Sequence, residues 1–255
     1  MRYGSGIAWL IHVVLITSVA TSARAQWKTP WSYEGPTGPR HWAELDPDYM
    51  ACKSGRHQSP IDIRDATKAV LPVLHFQYHP GPLNIVNNGH TAVRVDYAPG
   101  NGQYLWLGEK RFELTQFHFH RPSEEYVHGK PRPMAIHLMH RSADGQVVGV
   151  AILLNVGRAN NAIEQLWKYM PQSSDGPHEI AGVEFDPSGL IPASAEYYSY
   201  DGSQTAPPCT EPVTWIVLKS PMSISATAVR DFARLYPHNV RPPQPLNGRR
   251  VMESS

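Results

Sequence analysis

The chain has 255 residues, 41% of them hydrophobic and 18% charged, with a formal net charge of +1. That length can bury one large core or two modest ones. A near-zero charge with no basic run argues against nucleic-acid or membrane-surface binding carried by electrostatics.

Residues 1–25 read as a targeting segment. Arg2 precedes an apolar stretch over residues 7–20, which ends in Ala23-Arg24-Ala25 before Gln26. A positive start, a short apolar region and an A-x-A site make a secretory signal peptide, with cleavage expected after Ala25. The stretch is short for a spanning helix, and His12 interrupts it. No other apolar run is long enough to cross a membrane. The expectation is a periplasmic or secreted domain over residues 26–255.

Residues 26–60 are rich in Trp, Gly and Pro and read as an irregular segment wrapped over that domain. Alternating or apolar runs predict strands at 74–78, 84–88, 91–96, 104–107, 111–120, 135–140, 147–156 and 213–218. Asn87-Asn88-Gly89 and Asp144-Gly145 are turn signals between such runs. A helix is expected over 160–169, where Ile163, Leu166 and Trp167 share a face and Pro171 stops the run. A second is expected over 225–236. The 24 prolines are scattered, and no repeat or composition shift marks a second domain. Many short strands with two helices make a mainly β (α+β) single domain.

His118 and His120 stand at i and i+2 of the 111–120 run, so they share one strand face, while Phe117 and Phe119 point into apolar packing. His137, on a later strand that can pair back, can close a three-imidazole set. Three neutral imidazoles with an open fourth position is how a catalytic zinc site is built. The spacing alone is a weak signal: a strand histidine is usually a satisfied polar group, and cupin-type barrels also hold metals with such pairs. Cys52 and Cys209 are the two cysteines. In an oxidising compartment they are a disulfide candidate; two unrelated buried thiols are the alternative.

Further segments give the histidines a context. In order they are Trp31-Ser32-Tyr33, Gly38-Pro39-Arg40-His41-Trp42, Gln58-Ser59-Pro60-Ile61-Asp62-Ile63 and Asn87-Asn88-Gly89-His90. After the histidine strand come Pro122-Ser123-Glu124-Glu125, Gly202-Ser203-Gln204-Thr205-Ala206-Pro207-Pro208-Cys209, Val213-Thr214-Trp215 and Arg241-Pro242-Pro243-Gln244-Pro245-Leu246. Each is weak; their order and spacing are specific. Together they resemble an α-class carbonic anhydrase of the exported bacterial type, from residue 31 to about residue 249.

The resemblance implies a single domain built on a large, twisted, mostly antiparallel sheet with a few short peripheral helices. It implies that His118, His120 and His137 hold zinc. Three neutral ligands leave the ion its double charge, which acidifies a bound water to a pKa of about 7, a figure that comes from carbonic anhydrase itself. The reaction implied is reversible hydration of carbon dioxide to bicarbonate and a proton, with weak ester hydrolysis as a side activity. Thr205 and Glu124 match a hydroxyl–carboxylate pair that orients the attacking group. His90 occupies the position of the proton shuttle, and Tyr33 and Asn88 match residues that order its water chain. The remaining histidines, His140 among them, are expected at the surface or in packing. Cys52 and Cys209 fall where exported members carry their disulfide. The implied partner is a small molecule, with no nucleic acid, no membrane span after cleavage, and a monomer or homodimer.

The chain departs from the family pattern near the metal. Gln116 matches the usual partner of His118. The usual glutamate two residues before the third histidine is here Ala135, while the usual histidine after Glu124 is Glu125. Those positions neighbour each other in the family, so Glu125 is expected to take over as acceptor for His137. Gln204 stands where leucine is common and Ala206 where a hydroxyl is common. Met139 and Gly149 stand at wall positions commonly filled by valines, and Trp215 keeps its place. The expectation is an active enzyme with an altered pocket. A non-catalytic carbonic anhydrase-like binding module is the alternative; such relatives typically lose a zinc histidine, and all three survive here. An unrelated metal-binding β-barrel has no reason to carry the Glu124 and Thr205 segments.

Overall fold

The computed structural model describes residues 1, 30–90, 93–174 and 178–254. Apart from Met1, the expected signal segment and its cleavage site lie outside the described residues. Among those described, no helix is long and apolar enough to cross a membrane.

The strands, in chain order, begin with β1 (Asp62–Ile63), β2 (Ala66–Ala69), β3 (Leu74–Gln77), β4 (Gly81–Val86), β5 (Arg94–Asp96) and β6 (Tyr104–Leu107). The middle of the chain forms β7 (Lys110–His120), β8 (Tyr126–Val127), β9 (Met134–Arg141), β10 (Val147–Val156) and β11 (His178–Phe185). The last are β12 (Tyr197–Gly202), β13 (Val213–Ile224) and β14 (Val251–Ser254). Short helices α1 (Trp42–Leu45) and α2 (Ala51–Ser54) precede the strands, and α3 (Asn161–Trp167) and α4 (Ala226–Leu235) follow β10 and β13.

Twelve strands join in one sheet, whose main path runs β11-β4-β5-β7-β9-β10-β13-β12-β14-β2, with β6 joined to β7 and β3 to β6. The pairings β10–β13 and β14–β2 are parallel and the others in this sheet antiparallel. Every expected strand and both expected helices have a counterpart here. The 26–60 segment is less irregular than expected, since it holds α1 and α2. β13 runs on past residue 218, through Pro221, because the β10–β13 register shifts between Ile152 and Leu154; a proline is tolerated where ladder pairing is interrupted.

The long strand β7 sits between β5 and β9 near the middle of the sheet. Its alternation separates two environments. Phe117 and Phe119 are fully buried in the larger apolar cluster, where Trp167 of α3 meets Phe119 edge-on at 4.8 Å and Phe232 of α4 packs on Trp167. The helices therefore cover the phenylalanine face and leave the opposite face, with His118 and His120, for a cavity. In the register of β7 and β9, His118 lies opposite His137. Cys52, in α2, and Cys209, just before β13, form a disulfide with an S–S distance of 2.07 Å.

Candidate metal centre

His118, His120 and His137 come together with one ring nitrogen from each within 4.8 Å of the others. The outward nitrogens are committed. His118 Nδ1 lies 2.8 Å from Gln116 Oε1, and His120 Nδ1 lies 2.8 Å from the Asn239 carbonyl oxygen. These partners only accept, so both imidazoles donate from Nδ1 and carry a lone pair on Nε2. The two Nε2 atoms nevertheless stand 3.0 Å apart. His137 turns the other way: its Nε2 forms an ion pair with Glu125 Oε1 at 2.8 Å without the alignment of a regular hydrogen bond, and its Nδ1, also without a hydrogen-bond partner, is left facing the cluster.

Converging lone pairs repel unless a cation lies between them. Two nitrogens about 2.0–2.1 Å from one tetrahedral zinc ion stand about 3.3 Å apart, close to the spacing seen here. The donor set of Nε2, Nε2 and Nδ1, each backed by an oxygen, thus fits a divalent cation such as zinc.

The electrostatics favour the neutral form at two of the three histidines, His118 and His120. Burial, then the neighbouring His137 and, for His118, Arg94, hold His118 and His120 well below the usual histidine range. Burial alone would lower His137 too, but the Glu125 carboxylate and then Glu124 outweigh it and raise its pKa. Glu124 and Glu125 are both fully buried. Glu124 Oε1 accepts the Arg241 backbone N–H at 2.7 Å, while its Oε2 has no hydrogen-bond partner. Burial pushes the Glu124 carboxyl up to about 7, against the pull of His137. Its Oε2 lies 3.5 Å from His120 Nε2 and 3.9 Å from His137 Nδ1.

A cavity of about 270 Å³ opens over the three histidines. Tyr33, Asn88 and His90 line one part of it, and Met139, Gln204, Thr205, Ala206 and Trp215 another. His90 is half-buried, its ring stacked on Trp31 with centroids 3.8 Å apart, and its pKa is lowered by burial. Its backbone N–H donates to Asn88 Oδ1 at 3.0 Å. Burial, then the charge on Glu124, holds the Tyr33 phenol well above its usual value. His140 is a packing residue, fully buried, with Nε2 2.6 Å from the Tyr78 hydroxyl.

Gly149 differs from the expected wall position. It faces Met139 across β9–β10 and Trp215 across β10–β13, and it does not line the cavity. The Trp215 indole lies over it: a Cβ at Gly149 would come within 2.8–2.9 Å of three ring atoms. Met139 reaches the cavity, and the indole fills the space beside it.

Three groups were missed in the sequence. Asn239 and Arg241 contribute through backbone atoms, which have no residue-type signature. Arg94 lines the cavity, and the alternation of β5 opposite β7 is the signal that could have found it. A larger depression of about 610 Å³, bordered by Lys110, Arg111 and Asp144, holds none of the site histidines.

A sequence model of the family described as eukaryotic-type carbonic anhydrase matches residues 37–255. A carbonic anhydrase of Nostoc sp. is 39% identical over 241 residues, spanning 92% of this chain and 90% of that protein. The α-carbonic anhydrase of Thermovibrio ammonificans, solved with the inhibitor sulfanilamide, superposes with a TM-score of 0.83 at 40% identity, covering 88% of this chain and 99% of that one. The dioscorin DB3S of Dioscorea polystachya is similar as well, at 34% identity over 252 residues, 95% of this chain and 93% of that protein.

Proposed function

The chain belongs to the eukaryotic-type, or α, carbonic anhydrase family, and from that membership we propose that it is an enzyme for the zinc-dependent, reversible hydration of carbon dioxide to bicarbonate and a proton. The observation that carries the proposal is the convergence of three imidazole lone pairs, with two Nε2 atoms 3.0 Å apart. Nε2 of His118, Nε2 of His120 and Nδ1 of His137 would hold the zinc ion, which would supply the Lewis acidity that makes a nucleophile of water near neutral pH.

The protein's own groups do the rest. Gln116, the Asn239 carbonyl and Glu125 hold the three rings in the orientation and tautomer that ligation needs. Thr205 lines the cavity; by donating its hydroxyl proton to Glu124 it would keep an acceptor lone pair toward the cavity and orient the attacking water there. Met139 and Trp215 give carbon dioxide an apolar wall, with Gln204 and Ala206 bordering it. His90 takes the proton released by the reaction and passes it to solvent; its lowered pKa favours that release. Tyr33 and Asn88, at the same part of the cavity, order the water that joins His90 to the centre.

Export completes the reading. Cleavage after Ala25 would deliver residues 26–255 to an oxidising compartment, periplasmic or extracellular, and the Cys52–Cys209 disulfide supports this. The likeness to a dioscorin solved in complex with ascorbate supports a second reading, a carbonic anhydrase-like binding module; the complete histidine set supports the enzyme.

The test is a carbon dioxide hydration assay on residues 26–255 before and after chelation. Activity that disappears with the metal and returns with zinc is expected. Activity that is absent, or indifferent to metal removal, overturns the proposal.

A further inference from the structure

β5 sets Arg94 opposite His118 and Asp96 opposite Gln116 in antiparallel register with β7. Cross-strand partners share a face of the sheet, so both side chains stand on the face of the metal centre. Among the described residues lining the cavity, Arg94 is the one permanent cation, and none is an Asp or Glu. Asp96 Oδ2 accepts from Arg94 Nη2 at 2.7 Å. That bond anchors the guanidinium through Nη2; Nε is buried and without a hydrogen-bond partner, while the side chain as a whole remains 34% exposed.

A cation has little to offer carbon dioxide, which is neutral. Bicarbonate is a monoanion with a planar, carboxylate-like pair of oxygens, and a guanidinium edge matches such a pair. The cavity is also too small to hold a screening atmosphere, which extends about 8 Å at physiological ionic strength.

Resting on the function proposed above, we infer that Arg94 is a binding residue for bicarbonate and similar planar monoanions, and that Asp96 tunes its strength. Asp96 competes for the guanidinium, so the anion is held yet still released. The pair therefore sets how strongly product and other carboxylate-like anions occupy the cavity.

The equilibrium of the reaction fixes the ratio of the two kcat/KM values, so the diagnostic quantity is anion affinity. Acetate dissociation constants are to be read from the absorption spectrum of the cobalt(II)-loaded protein, beside inhibition of hydration by bicarbonate. Arg94→Gln is expected to weaken both roughly tenfold, the size of one hydrogen bond to a charged group. Arg94→Lys keeps the charge without the fork and should recover part of the loss. Asp96→Asn should shift acetate affinity the opposite way, toward tighter binding, which a merely structural role would not produce. Acetate affinity within twofold of the wild type in Arg94→Gln, or weakened in Asp96→Asn as well, overturns the inference. Those outcomes in a wild-type protein with metal-dependent hydration defeat this inference alone; no such hydration in the wild type defeats the functional reading beneath it.

Discussion

Glu125 and His137 are both fully buried, with Oε1 2.8 Å from Nε2. A carboxylate out of water needs a cationic or donor partner, since an unpaired buried charge is strongly destabilising. His137 supplies that partner, and Glu125 in turn fixes which nitrogen of His137 faces the cluster. Ala135, on β9, is too short to reach either. Glu125→Gln keeps the volume and removes the charge that steadies the ring. We expect metal affinity to fall about 10- to 100-fold, the usual effect of removing such a partner, as measured by competition with a chromophoric chelator. Unchanged metal affinity with unchanged turnover would refute the role of Glu125. The two substituted positions were visible in the sequence. The contact itself was expected only through the family resemblance, because the residues lie on separate segments and only folding brings them together.

Elements position the centre through two different periodicities. The i, i+2 spacing of His118 and His120 needs only the alternation of β7, so it was legible from the chain. The neighbouring wall depended on register. Gly149 of β10 pairs with Trp215 of the parallel strand β13, a partner that no local pattern announces. The indole occupies the space above this glycine, donates from Nε1 to the Ser203 carbonyl at 2.9 Å and packs 4.7 Å from the His137 ring. Gly149→Ala forces a Cβ within 2.8–2.9 Å of the ring. The expected result is a loss of about 1–3 kcal/mol in urea unfolding, typical of overpacking, with a changed near-ultraviolet dichroism from the displaced indole. Unaltered stability and spectrum would show that the indole can yield freely. Of the strands missed in the sequence, three have similar causes. β11 carries Gly182 at φ +71 within its register shift, which breaks alternation, and β14 and β2 are four-residue strands paired in parallel with each other.

At the scale of the whole molecule, the disulfide joins positions 157 residues apart. Closing a loop that long stabilises by roughly 4–5 kcal/mol in the chain-entropy model, whose mechanism is disputed. The crosslink is also wired to the site. The Arg241 guanidinium donates to the Cys52 carbonyl at 2.8 Å, and the Arg241 backbone N–H donates to Glu124. Gln58 Nε2 donates to the Cys209 carbonyl at 3.1 Å, and Gln58 Oε1 accepts from Arg241. Cys52→Ser with Cys209→Ser is therefore expected to cost about 2–5 kcal/mol in urea unfolding; stability equal to the wild type would contradict it. By itself the sequence determined the β-rich class, the family likeness, the paired strand histidines and the two cysteines, because strand alternation and motif order are local properties of a chain. Tertiary structure alone decided how the centre is held: the Asn239 carbonyl on His120, the Arg241 N–H on Glu124, the indole over Gly149 and the guanidinium of Arg94 in the cavity. Those contacts rest on backbone atoms and on strand register between distant segments, and neither has a signature in residue order.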